Sequence, residues 1–280
     1  MHLTGAIAAR VAVVLVLAAV LAARLSDRPA PWGRRWSLTK HATRETGIIL
    51  GLFALWQFAG GLALTHVAGA FDRAHTIVRW ERFLPLPSEL TMQSWVLPHE
   101  WIVKASNTFY LYAHVNGIVI FLVWLFVRHR DRYPWARNVL AISTGLCLLT
   151  QLIPVAPPRM LVDVGFVDTA VFYNQSVYGP FGSGIANQLS AMPSVHVGWA
   201  VFIAYVVIRV STSPWRWLIL LHPFVTVFVV VVTANHFWAD GLVAAAIFAA
   251  VFAAAQAVES ARLRSVGSDR DLLPHAVAPR

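Results

Sequence analysis

The sequence predicts an all-α fold, a polytopic transmembrane helical bundle, on three observations. Of 280 residues, 58% are hydrophobic and only 12% charged, half the roughly 25% of a soluble domain. Mean hydropathy is +0.63. Seven apolar runs, near 6–23, 47–70, 105–127, 138–156, 193–210, 217–235 and 238–257, approach the roughly 20 residues that cross hydrocarbon as a helix. The net charge of +9 lies in short basic blocks between these runs. That distribution sets topology and argues against a nucleic-acid partner. The single cysteine, Cys147, lies inside an apolar run and has no internal partner for a disulfide.

The elements follow in order. Residues 1–46 read as an N-terminal transmembrane helix, retained rather than cleaved, and a basic cytoplasmic loop holding Arg24, Arg28, Arg34, Arg35, Lys40 and Arg44. Residues 47–257 read as a six-helix transmembrane domain. Arg128, Arg130, Arg132 and Arg137 form the next basic block, Arg209 and Arg216 flank a short turn, and Arg262, Arg264, Arg270 and Arg280 mark the C-terminus. The positive-inside rule places those blocks and the C-terminus in the cytoplasm. The opposite face carries two long segments. Residues 71–104 mix Trp80, Phe83, Trp95 and Trp101 with Arg73, Arg79, Glu81 and Arg82, an interfacial amphipathic stretch broken at Pro85 and Pro87. Residues 157–192 form a Gly/Pro-rich loop with Arg159, Asp163, Asp168, Asn174 and Asn187, of a length usual for functional or disordered loops. Residues 258–280 read as a disordered cytoplasmic tail.

With this orientation, four ionisable residues fall on the non-cytoplasmic side. Arg159 follows the 138–156 run, His196 opens the 193–210 run, His236 closes the 217–235 run, and Asp240 begins the last. Ionisable groups at membrane depth are costly and point to function. His236 and Asp240 stand four apart, neighbours on a helical turn. A carboxylate on one imidazole nitrogen fixes the tautomer and makes the other nitrogen a better base or nucleophile. Pro193 before His196 suits a helix start, whose free N–H groups favour anions. The Arg159 fork matches phosphate. Together these residues suit phosphoryl transfer.

Bland readings stand beside each. His236 and Asp240 also fit a structural pair at a helix end, Arg159 an interfacial lipid anchor, and Ser194 a helix cap. Tyr110, Tyr112, His114 and Asn116 of the 105–127 run are candidates for a headgroup pocket, as is Asn187, although interfacial tyrosines are ordinary. His66 and His222 read as packed bundle residues. A haem carrier would use paired histidines within the bundle, whereas these lie near helix ends. A lipid transporter or scaffold with a degenerate site is the non-enzymatic alternative.

The pattern Pro193-Ser194-Val195-His196, then His236-x-x-x-Asp240, resembles the type 2 phosphatidic acid phosphatase superfamily. Ala156-Pro157-Pro158-Arg159, Gly165-Phe166-Val167-Asp168-Thr169, Ala191-Met192-Pro193-Ser194-Val195-His196 and Asn235-His236 are similar to its branch related to fungal inositol phosphorylceramide synthase. The resemblance covers roughly residues 45–257. It implies a lipid phosphotransferase or phosphatase acting on a phospholipid, polyprenyl or sphingolipid-type lipid phosphate. His236 would become phosphohistidine, supported by Asp240. His196 would protonate the leaving oxygen, Arg159 and Ser194 would hold phosphate oxygens, and no metal or other cofactor would take part. The chain departs from the phosphatase consensus: lysine would fall at Leu152, proline at Met160, glycine at Val195 and arginine at Val230. Lys104, Arg73, Arg79 and Arg82 are the cations available to compensate.

Overall fold

The computed structural model describes residues 43–49, 51, 68–175 and 188–271. The expected first helix, most of the run at 47–70 and Asn187 lie outside them. The fold is an all-α membrane bundle, without a strand among the described residues. Among the described residues, three segments are long and apolar enough to cross a membrane, Glu100–Arg128, Pro214–Val232 and Trp238–Arg262, with Val195–Val210 a shorter apolar helix.

The stretch before the first of these folds as two short helices, α1 (Ala70–Glu81) and α2 (Glu89–Val96). They part where Pro85 and Pro87 supply no N–H for a helical ladder. The Ser88 hydroxyl accepts the Thr91 N–H at 3.2 Å and starts α2. Helix α3 (Glu100–Arg128) follows, about 43 Å long at the helical rise, more than the hydrocarbon requires. Val119, Ile120, Val123 and Val127 lie exposed along it, the lipid-facing stripe of a spanning helix.

Helix α4 (Tyr133–Thr150) carries Pro134 in its first turn, where a missing N–H costs nothing. It begins and ends several residues before the apolar run, and its first turn already buries Tyr133 and Ala136. The next loop makes two 3₁₀ turns (Pro158–Met160, Val162–Val164) and the four-residue α5 (Thr169–Phe172). Gly165, at φ 103°, provides the left-handed turn between them.

Helix α6 (Val195–Val210) is capped by Ser194. A 3₁₀ segment (Pro214–Leu220) runs into α7 (Leu221–Val232), and α8 (Trp238–Asp271) closes the bundle. α8 extends well beyond 258, where the sequence suggests a tail. Glu259, Ala261, Arg262, Leu263 and Arg264 are good helix formers that carry the helix on, and Glu259 meets Arg132 at 3.7 Å.

α6 sits centrally, touching α3, α4, α7 and α8. Phe202, Phe248, Leu125 and Val206 are wholly or almost wholly enclosed there. A second buried group, with Val155, Leu161, Phe166, Leu189 and Phe237, sits under the loop at one end of the bundle. That end carries the polar cluster.

Candidate active site

The link between α7 and α8 is short and unusual. Ala234 has φ 52°, a left-handed conformation that costs energy in a residue with a Cβ. It turns the chain so that the N–H groups of Asn235 and His236 both donate to the Val230 carbonyl, at 3.0 and 3.1 Å. The Ala234 carbonyl then accepts the Arg159 N–H at 2.8 Å. One turn thus closes a helix end, delivers His236 and fixes the backbone of the Arg159 loop.

The His236 ring is buried between two oxygens. Its Nδ1 lies 2.8 Å from the Ala191 carbonyl and 3.2 Å from Asp240 Oδ2. Both neighbours are acceptors, so Nδ1 carries the proton and the Nε2 lone pair faces outward from that pair. Nε2 lies 3.3 Å from His196 Nδ1. The i, i+4 spacing does bring His236 and Asp240 together, but not on one helical turn. α8 starts only at Trp238. Asp240 instead reaches back from the first turn, its Oδ2 accepting the Phe237 N–H at 2.9 Å, as the acid of a capping box does. One oxygen both caps α8 and orients His236.

Arg159 is also buried, at 6% exposure, a position a guanidinium tolerates only when paired. Its Nη1 donates to Asn235 Oδ1 at 2.7 Å and its Nε lies 3.5 Å from Asp168 Oδ2. The Asn235 amide is fixed in turn by donating to Thr233 Oγ1 at 2.8 Å, and that hydroxyl donates to Val229 O at 2.7 Å. Asp168 also caps α5 through the N–H groups of Ala170 and Val171.

The His196 ring is clamped from α3. Tyr110 stacks on it with centroids 4.3 Å apart, and His114 does so at 3.9 Å. His114 also stacks on Trp199, one turn further along α6, at 5.5 Å. Its Nε2 is buried with no hydrogen-bond partner among the described residues. Ser194, fully buried, accepts the Val197 N–H at 3.3 Å, and its own N–H donates to the Asp240 carbonyl at 3.0 Å. The starts of α6 and α8 are thereby tied together.

The structure therefore brings together His236, Asp240, His196, Arg159, Ser194 and His114. It leaves Tyr112 apart: that side chain is 59% exposed, while Tyr110 and His114, one turn apart, share the inward face. Three of the four proposed compensating cations are engaged elsewhere, and the fourth, Arg82, is exposed next to Glu81. Lys104 pairs with Glu100 at 2.5 Å, Arg73 donates to the carbonyls of Pro154 and Ala68, and Arg79 donates to Thr76. The residues the sequence hid are Asn235 and Asp168 as partners of Arg159, Tyr110 as the His196 platform, and Glu81 and Glu89. The last two meet the first turn of α8 from about 150 residues away, a distance that no local spacing signals.

An imidazole with one nitrogen held by a carboxylate and a carbonyl, a second imidazole across from its free nitrogen, and a buried guanidinium at the same end form a set suited to phosphoryl chemistry. Neither a curated protein nor a solved structure matches the chain. The family model of the PAP2 superfamily matches residues 75–254, a stretch that holds every member of the cluster and more than half the chain, and the chain belongs to that superfamily.

Proposed function

We propose that this membrane protein is a lipid phosphotransferase or lipid phosphate phosphatase that works through a phosphohistidine at His236. The observation that carries the reading is the His236 ring itself, with Nδ1 engaged by Asp240 and Ala191 and Nε2 left facing His196. In the first step Nε2 attacks phosphorus, the bond from phosphorus to the leaving oxygen breaks, and protonated His196 gives that oxygen its proton. In the second step a water or alcohol oxygen attacks phosphorus, the P–N bond breaks, and His196 takes the proton back. Asp240 and Ala191 O stabilise the charge that builds on the His236 ring. Arg159 binds phosphate oxygens, and the Ser194 hydroxyl, whose oxygen caps α6, directs its proton toward them. His114, behind His196, lines the headgroup side.

The absence of cations at Leu152 and Val230 supports a likeness to the inositol phosphorylceramide synthase branch, with an alcohol as acceptor. The basic blocks support a cell-membrane protein with its C-terminus in the cytoplasm and this site on the extracytoplasmic face. The test is turnover of lipid phosphates by purified protein in vesicles, with acid-labile phosphate trapped on the enzyme. Loss of both signals in His236→Ala, with both retained in His75→Ala, an α1 histidine 3.2 Å from Asp163, is expected. Full activity in His236→Ala would overturn the assignment.

A further inference from the structure

The first turn of a helix leaves N–H groups without helical partners. At the start of α8 the N–H groups of Phe237, just before the helix, and of its first two residues meet three different carboxyl groups. Asp240 takes the N–H of Phe237, Glu89 Oε1 takes that of Trp238 at 3.0 Å, and Glu81 Oε1 takes that of Ala239 at 2.6 Å. Asp240 does so from its own helix. Glu81 ends α1 and Glu89 opens α2, so the segment between Ala70 and Val96 reaches the residues that directly follow His236. Trp238 strengthens the joint, its indole N–H donating to Pro87 O at 3.0 Å. Glu89 is 4% exposed and Asp240 is fully buried.

Three acidic side chains around one buried helix end would repel one another if all were ionised. The positive end of the helix dipole offsets part of that. A proton offsets the rest. Glu81 Oε2 is buried and meets no donor among the described residues. As a protonated oxygen it becomes the donor, directed toward Glu89. Burial first, and then the neighbouring Glu89, push the Glu81 carboxyl up to about 9.

We propose that Glu81 and Glu89 are positioning residues for the His236–Asp240 pair, holding the first turn of α8 from the α1–α2 segment so that Asp240 stays on His236 Nδ1. The inference rests on the reading of His236 as the nucleophile. Asp240 sits at the third helical position, one residue beyond the two N–H groups that the glutamates hold. Loosening them frees the turn on which the Asp240 carboxyl is carried. Misplacement by about 1 Å is enough for losses of roughly a hundredfold in enzymes.

The test uses the full-length protein in vesicles, with Glu81→Leu, Glu89→Leu and Glu81→Gln, a lipid phosphate as substrate, and hydrogen exchange read at Trp238 and Ala239. Both leucine variants are expected to lower kcat at least about tenfold with little change in KM, and to speed exchange of those amides. Glu81→Gln, which keeps an acceptor for Ala239 and a donor toward Glu89, is expected to restore most of the rate and the protection. Leucine variants with wild-type kcat, or with unchanged exchange, overturn the positioning role while the functional assignment stands. A fall in kcat without rescue by glutamine, or with exchange accelerated throughout α8, marks a folding defect and also overturns it. A wild-type protein that turns over no lipid phosphate overturns both together.

Discussion

The centre of the bundle and its polar end are both largely buried but held by different physics. At the centre, Phe202 stacks parallel to Phe252 at 5.9 Å, lies 6.1 Å from Phe248, and meets Phe121 edge-on at 5.6 Å. In lipid, burying those rings gains little over leaving them among acyl chains. Close packing of small and large residues is what joins the helices. Gly198 is the clearest case, because a Cβ there would lie 2.5 Å from Phe248 Cε2. At the polar end the contacts are directional, from His236 to Asp240, Arg159 to Asn235, and Glu81 and Glu89 to the α8 amides. Shape specifies one region, and donor–acceptor pairing specifies the other.

Removing one carboxylate charge should break the contrast most sharply. Asp240→Asn keeps the shape at the start of α8 but lets the amide present its NH₂ to His236, favouring the wrong ring tautomer. A loss of kcat of about 10³-fold or more is expected, with thermal stability altered far less. Equal losses in rate and stability would mean that Asp240 is structural. Arg159→Lys keeps charge but loses the fork that meets Asn235 and Asp168. It should cost about 10²-fold in kcat/KM for lipid phosphate, and wild-type kinetics would remove Arg159 from phosphate binding.

At the centre the expected signature is reversed. Gly198→Ala pushes a methyl into the enclosed Phe248 ring, and overpacking of this kind costs about 1–3 kcal/mol. The thermal midpoint in detergent should fall, with kcat at permissive temperature close to wild type. A stable variant with impaired chemistry would show that centre and polar end are not separable.

The smallest effect concerns pH. Glu81 ionises near 4.5 in an unfolded chain but is held up to about 9 in the fold, so between these values the folded state keeps a proton that the unfolded state has lost. Its contribution is therefore fullest below 4.5 and declines as pH rises toward about 9. Around it lie Arg82, Glu89 and Asp240, so the slope belongs to the cluster. Thermal midpoints across that window should fall with rising pH in the wild type and fall less in Glu81→Gln. Identical slopes would place the proton elsewhere.

Much of this was legible in the sequence. Low charge, apolar runs and basic blocks determine a helical membrane bundle, because a chain in lipid must satisfy its backbone internally. The order Arg159, His196, His236 and Asp240 at the ends of successive runs already put them on one face, because the two runs between His196 and His236 leave and return to the same side and the loop 157–192 joins Arg159 to His196 without a crossing. Tertiary structure decided the contacts. Tyr110 rather than Tyr112 faces His196, because the phase of α3 is set by packing against α6 and α7. His236 meets Asp240 through a helix cap rather than along a helical turn, because Ala234 ends α7 early. Glu81 and Glu89, read from sequence as part of an interfacial stretch, hold the start of α8. Only a fold that brings together residues about 150 positions apart reveals that the carboxyl groups needed to cap a buried helix come from another segment.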